Sequence, residues 1–87
     1  MNKIFHEKGF EDFLSWQAHD KKIFKKILDL LKDIDRNGYN CTGKPEKLTG
    51  NYAGYWSVRI DKKNRLIFRI NNGMIEIAEC KEHYGDK

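Results

Sequence analysis

The sequence is poor in the residues that cross-link chains, bind metals or span membranes. It carries two cysteines, Cys41 and Cys80, among 87 residues. They lie far apart with no C-x-x-C spacing, so they read as free thiols packed as small apolar side chains rather than as a disulfide or metal ligands. His6, His19 and His83 are equally scattered, and neither a metal site nor any other cofactor is expected. No apolar run approaches the roughly 18 residues that a membrane span needs. The opening Met-Asn-Lys-Ile-Phe-His-Glu-Lys also lacks the apolar core of a signal peptide. A cytoplasmic chain with reduced thiols and no membrane partner is expected.

What the chain does have is charge. Splitting 87 residues would leave two pieces too small to bury a core, so residues 1–87 are read as one domain. Lys and Arg number 17 against 13 Asp and Glu, a formal charge of +4. That balance favours an anionic partner (nucleic acid, an acidic protein or a membrane surface), unless it serves only to keep the chain in solution.

The pattern of apolar residues predicts a β-α-α-β-β-β order. Residues 2–6 read as a short strand. Phe10, Phe13, Leu14 and Gln17 follow helical spacing between Gly9 and Ala18. Asp20 can cap a longer helix whose stripe is Ile23, Phe24, Ile27, Leu28, Leu30, Leu31 and Ile34, ended by Asn37-Gly38. A glycine-rich stretch over 38–54, containing Pro45, reads as a long loop. Three strands follow, within 54–60, 64–70 and 74–80.

Their register can be argued from alternation. Matching the apolar faces pairs Val58 with Leu66 and Trp56 with Phe68, which places Arg59 opposite Arg65. Asn72-Gly73 is a preferred two-residue hairpin turn and pairs Phe68 with Ile77, Ile70 with Ile75 and Arg69 with Glu76. The same register puts Cys80 opposite Arg65 and leaves Glu79 on the apolar face, a misfit. The expected architecture is α+β: two N-terminal helices on one face of an antiparallel sheet, the other face partly open and carrying Tyr55, Arg59, Arg65 and Arg69.

Like charges directly opposed across two strands destabilise a sheet. Either the long arginines splay into solvent, or Arg69 simply pairs with Glu76, or an anion sits between Arg59 and Arg65. Glu46 lies on the loop before the sheet, and His83-Tyr84 follow the last strand. A carboxylate, a histidine and two arginines around one phosphate suit RNA cleavage by internal transesterification: a base for the 2′-hydroxyl, cations on the phosphorane and an acid for the leaving 5′-oxygen. Tyr84 can stack on a base. From the residues alone, a non-catalytic nucleic-acid-binding or protein-binding module is an equal alternative.

The stretches "GKPEKL", "GYWSVRI", "NRLIF" and "CKEHY", in that order, closely resemble the YoeB/Txe toxins of bacterial type II toxin–antitoxin systems, within the RelE/ParE superfamily. The resemblance covers nearly the whole chain and implies a microbial-RNase-like fold and an mRNA endonuclease acting on codons in the ribosomal A site. It implies Glu46 as general base, His83 as general acid, Arg65 stabilising the phosphate with support from Arg59, and Tyr84 holding the substrate. Lys44, Lys47 and Arg69 are further candidates for RNA phosphates. It implies homodimers and a YefM/Phd-type antitoxin whose C-terminal segment covers or distorts the active site. A ParE-like inhibitor of DNA gyrase, on the same scaffold, is the alternative in another class. Val58, Thr49 and Asn64 depart from the family pattern, which commonly has arginine, lysine and histidine at these places. The chain also runs past Tyr84. Because Asp86 brings negative charge toward a phosphate-binding site, removing Gly85–Lys87 is expected to leave RNA cleavage unchanged or raise it. Mapping mRNA ends by primer extension checks this, and a clear loss of cuts would misplace the end of the site.

Overall fold

The computed structural model describes residues 1–82. In chain order its elements are β1 (Asn2–Phe5), α1 (Glu7–His19), α2 (Lys21–Asn37), β2 (Glu46–Lys47), β3 (Trp56–Arg59), β4 (Arg65–Asn71) and β5 (Met74–Glu79), with single 3₁₀ turns at Gly38–Asn40 and Gly50–Tyr52. The strands form one sheet in the order β1-β5-β4-β3-β2.

The longer helix forms as its stripe predicts. The Asp20 carboxylate accepts hydrogen bonds from the backbone N–H of Lys22 and Ile23, each at 3.1 Å, which satisfies two donors of the first turn. Ile27, Leu30, Leu31 and Ile34 are buried against Val58, Leu66, Phe68, Ile75 and Ile77 of the sheet. Gly38 ends the helix at φ 58°, a left-handed conformation that costs glycine nothing.

Two expectations about the sheet are corrected. It is mixed rather than antiparallel, because β1 runs parallel to β5. Two helices separate β1 from the other strands, so no hairpin fixes its direction in the sequence. The stretch read as a long loop also contains β2, an edge strand antiparallel to β3 with Glu46 opposite Ser57 and Lys47 opposite Trp56. Two residues are too few for alternation to reveal.

The central pairings follow the expected register. Trp56 faces Phe68, Val58 faces Leu66 and Arg59 faces Arg65, while Phe68 faces Ile77, Arg69 faces Glu76 and Ile70 faces Ile75. Below Phe68 the register departs from expectation, since Ile67 pairs with Glu79. Ala78 is therefore the extra residue of a β-bulge. Arg65 then meets Lys81 rather than Cys80, its N–H donating to the Lys81 carbonyl at 3.3 Å. The bulge also resolves the Glu79 misfit by moving that carboxylate to the face away from the helices.

The helix α1 docks differently from its apparent stripe. Phe10 and Leu14 stay 50% and 44% exposed, and the residues turned inward are Gly9 and Asp12, with Phe13 and Trp16 packed against the core. Polar bonds and backbone approach set this face. The Asp12 carboxylate accepts from the Cys80 N–H at 3.1 Å, and the Trp16 indole N–H donates to the Cys80 carbonyl at 2.6 Å. Gly9 lies so close to β5 that a Cβ there would sit 2.6 Å from the Ile77 carbonyl oxygen. Gly9→Ala must push α1 off the strand and is expected to cost about 1–3 kcal/mol, the usual range for overpacking, in urea unfolding. An unchanged midpoint would show that the helix is not docked this tightly.

Candidate active site

On the sheet face away from the helices, cross-strand pairs form three rows. Trp56 and Val58 enter the core, so Tyr55, Ser57 and Arg59 project to the other side. The pairings carry these rows across the sheet. Tyr55 leads to Arg69, Glu76 and Ile4. Ser57 lies between Glu46 and Ile67, with Glu79 beyond. Arg59 leads to Arg65, whose other neighbour, Lys81, meets it through the backbone only and sends its ammonium to Ser15 and the Trp16 ring of α1. Glu46 thus shares this face with Arg59 and Arg65, one row away. Lys47, paired with Trp56, points to the opposite side at the sheet edge.

The Arg59–Arg65 row is held by its hairpin. Asp61 Oδ1 accepts from the N–H groups of Lys63 and Asn64 at 2.9 and 2.7 Å and from the Asn64 side chain at 3.1 Å. Burial alone would raise the Asp61 pKa. The Asn64 and Lys63 N–H groups outweigh it and hold the carboxyl below its usual value. Ile60 N–H donates to the Asn64 carbonyl at 2.9 Å, closing the turn. Among the described residues neither Arg59 nor Arg65 makes an ion pair.

Arg69 differs. Its Nε donates to Glu76 Oε2 at 3.1 Å, and its guanidinium carbon lies 4.8 Å from the centre of the Tyr55 ring. Asn71 donates to the other Glu76 oxygen at 2.9 Å, and His6 Nε2 stands 3.3 Å from Oε2. The Asn71 amide first, then Arg69, hold the Glu76 carboxyl down at about 2. Arg69 thus makes the cross-strand pair with Glu76 that the register predicts.

Sequence reasoning missed the contact over the middle row. The Tyr52 hydroxyl hydrogen-bonds Glu79 Oε2, so the turn after β2 reaches across β3 and β4 to β5. Ser57 and Ile67, which lie between, are 2% and 0% exposed although they face away from the helices. The bond to Glu79 pushes the Tyr52 phenol up to about 12. The misfit of Glu79 with the apolar face was the available signal. His83 and Tyr84, the predicted acid and stacking ring, lie outside the described residues.

A family model described as the YoeB-like toxin of bacterial type II toxin–antitoxin systems matches residues 5–84. The chain belongs to this family. It is 42% identical over 84 residues to Toxin YoeB of Escherichia coli K12, covering 97% of this chain and all of that one. The fold is similar to YoeB in a YoeB–YefM complex from Staphylococcus aureus, with TM-score 0.89 and 47% identity over 97% of this chain and 98% of that one. A YoeB dimer from the same organism gives TM-score 0.88 and 48% identity over the same shares.

In this YoeB-family chain, then, the described part of the face divides in two. One half is a neutralised cluster around Glu76, and the other is the unneutralised row of Arg59 and Arg65 with Glu46 beside it. The first half has a pH signature. A carboxyl held at about 2 instead of its ordinary 4.5 stabilises the fold above the higher value, and that stability is lost as pH falls toward the lower one. Glu76→Gln should therefore be less stable than the parent at neutral pH, with the gap closing between pH 4.5 and about 2. Urea midpoints across that range test it; a gap independent of pH would remove the assigned role.

Proposed function

We propose that this chain is a ribosome-dependent mRNA endoribonuclease that cuts A-site codons by acid–base transesterification and so arrests translation in the cytoplasm. The observation that carries the reading is the Arg59–Arg65 row, whose two cations oppose one another without an ion-pair partner among the described residues. A structural role rewards no such arrangement, whereas a bound phosphate would be shared by both guanidiniums. Glu46 stands one row away on the same face.

The steps follow from that chemistry. Glu46 takes the proton of a ribose 2′-hydroxyl, and the 2′-oxygen attacks the adjacent phosphorus. Arg65, with Arg59, stabilises the extra negative charge of the phosphorane. His83 gives a proton to the departing 5′-oxygen, leaving a 2′,3′-cyclic phosphate on one product and a 5′-hydroxyl on the other. Tyr84 holds the nucleotide by stacking. The parts given to His83 and Tyr84 rest on their place in the sequence. The proposed reaction uses side chains alone.

The assemblies named for the S. aureus relatives, a YoeB–YefM complex and a YoeB dimer, extend the reading. For this chain we assign homodimers and a YefM/Phd-type antitoxin whose C-terminal segment silences the arginine face. Primer extension on mRNA after brief production of the protein is the test. Codon-positioned cuts that need ribosomes are expected from the parent, with Glu46→Ala and His83→Gln each reducing them roughly 10²- to 10⁴-fold, the usual worth of one acid or base. Cuts of equal strength in both variants would remove the mechanism. Absent cuts with blocked gyrase would move the chain to the ParE-like class.

A further inference from the structure

Beside Arg59, an open groove of about 390 Å³ is lined by Lys26, Lys44, Arg59, Lys62 and Asp61 among others. Its cations come from four separate segments: α2, the turn before β2, β3 and the β3–β4 hairpin. A solvated basic surface requires no such convergence, and like charges brought together repel. None of the four is in an ion pair among the described residues. Asp61, the carboxylate on the groove wall, is engaged by the N–H groups of its own turn.

The turn that supplies Lys44 is strained. Lys44 has φ 55°, a left-handed conformation disfavoured for a side chain with a Cβ. It also precedes Pro45, which restricts its backbone further. Asparagine or glycine would relieve that strain, yet a lysine occupies the position. The turn is fixed against the arginine strand. Arg59 N–H donates to the Gly43 carbonyl at 2.8 Å, and a Cβ on Gly43 (φ 90°) would meet the Val58 Cβ at 3.1 Å. Non-glycine strain of this kind persists where the surroundings enforce it, commonly at ligand sites.

Arg59 belongs to both places. It lines this groove and forms the like-charge row with Arg65. An anion held at that row therefore continues into the groove if it is a polymer with a negative charge at each step. We propose that the groove is a second phosphate subsite, in which Lys26 and Lys44 hold the phosphodiester next to the one at Arg59 and Arg65. This assignment rests on the ribonuclease reading and adds the path of the RNA strand, toward α2 and away from the Glu76 cluster.

The test is ribosome-free binding of a fluorescent hexanucleotide RNA, made uncleavable by 2′-O-methylation, to the full chain over a salt series. Each phosphate contact on a single strand contributes about 0.7 to the slope of log affinity against log salt. Lys26→Gln and Lys44→Gln should each lower that slope by about 0.7, about a fivefold change in affinity per tenfold change in salt. Unchanged slopes in both variants would overturn the subsite. So would unchanged RNA binding combined with weaker binding to ribosomes or to an acidic antitoxin peptide, which would give the groove to ribosomal RNA or to protein. Glu46-dependent cuts together with unchanged slopes would sink the subsite and leave the ribonuclease reading standing. Lowered slopes without Glu46-dependent cuts would do the reverse.

Discussion

The apolar register of β3 and β4 is the constraint on which the rest of this sheet depends, and it holds two arginines directly across a strand pair. Arg59 and Arg65 oppose one another because Val58 must face Leu66 and Trp56 must face Phe68. A shift of one residue would send the apolar set to the wrong side. The repulsion is small beside that burial. Unfavourable cross-strand charge pairs cost on the order of 0.2–1 kcal/mol, whereas each large apolar side chain buried contributes about 1.5–3 kcal/mol. The core can therefore impose a geometry that surface electrostatics alone would reject. The Asp61–Asn64 turn then stops the hairpin from splaying to relieve it.

A second device governs the exit from β5. The Cys80 N–H and carbonyl are both taken by α1, through Asp12 and Trp16, and the bulge at Ala78 rotates the strand so that Cys80 turns inward. Burial pushes the Cys80 thiol up to about 12, which suits a packing role and not a reactive one. The segment leading to His83 thus departs from a residue fixed at both its N–H and its carbonyl, one position before Lys81, which meets Arg65. A single helix near the N-terminus anchors the strand that carries the chain into its last residues.

Alternation of period 2 made the three long strands legible in the sequence, with the pairing of Arg59 to Arg65 and of Arg69 to Glu76. A cap residue, an apolar stripe and a glycine stop did the same for α2. What escaped was set by contacts that leave no periodic trace. The inward face of α1 is chosen by a glycine and a carboxylate, which hydropathy scores as outward. The direction of β1 depends on β5, far along the chain. The strand β2 is too short to alternate, yet it carries Glu46. The bulge announced itself only as one charged residue on the wrong face. Identification of the family in the sequence depended on motifs, and the roles proposed for His83 and Tyr84 rest on them alone, because those residues fall outside the described part of the chain.

The open face shows how one residue type acquires two fates. Arg69 and Arg65 sit on the same strand and the same side, four residues apart. Opposite Arg69 the register supplies Glu76, whose second oxygen is taken by Asn71 and whose flank is closed by His6. Opposite Arg65 it supplies Arg59 on one side and, on the other, Lys81, whose ammonium turns away to Ser15 and Trp16 of α1, so among the described residues no carboxylate faces Arg65 from either strand. The difference follows from pairing alone, since both arginines are equally able to bind a carboxylate. Pairing with Glu76 leaves one half of the face nearly neutral, whereas the other half gathers positive charge that extends through Arg59 toward Lys44 and Lys26. For the proposed RNA substrate, that charge leaves one direction to run from the Arg59–Arg65 row, and Glu46 stands one row away on the same face.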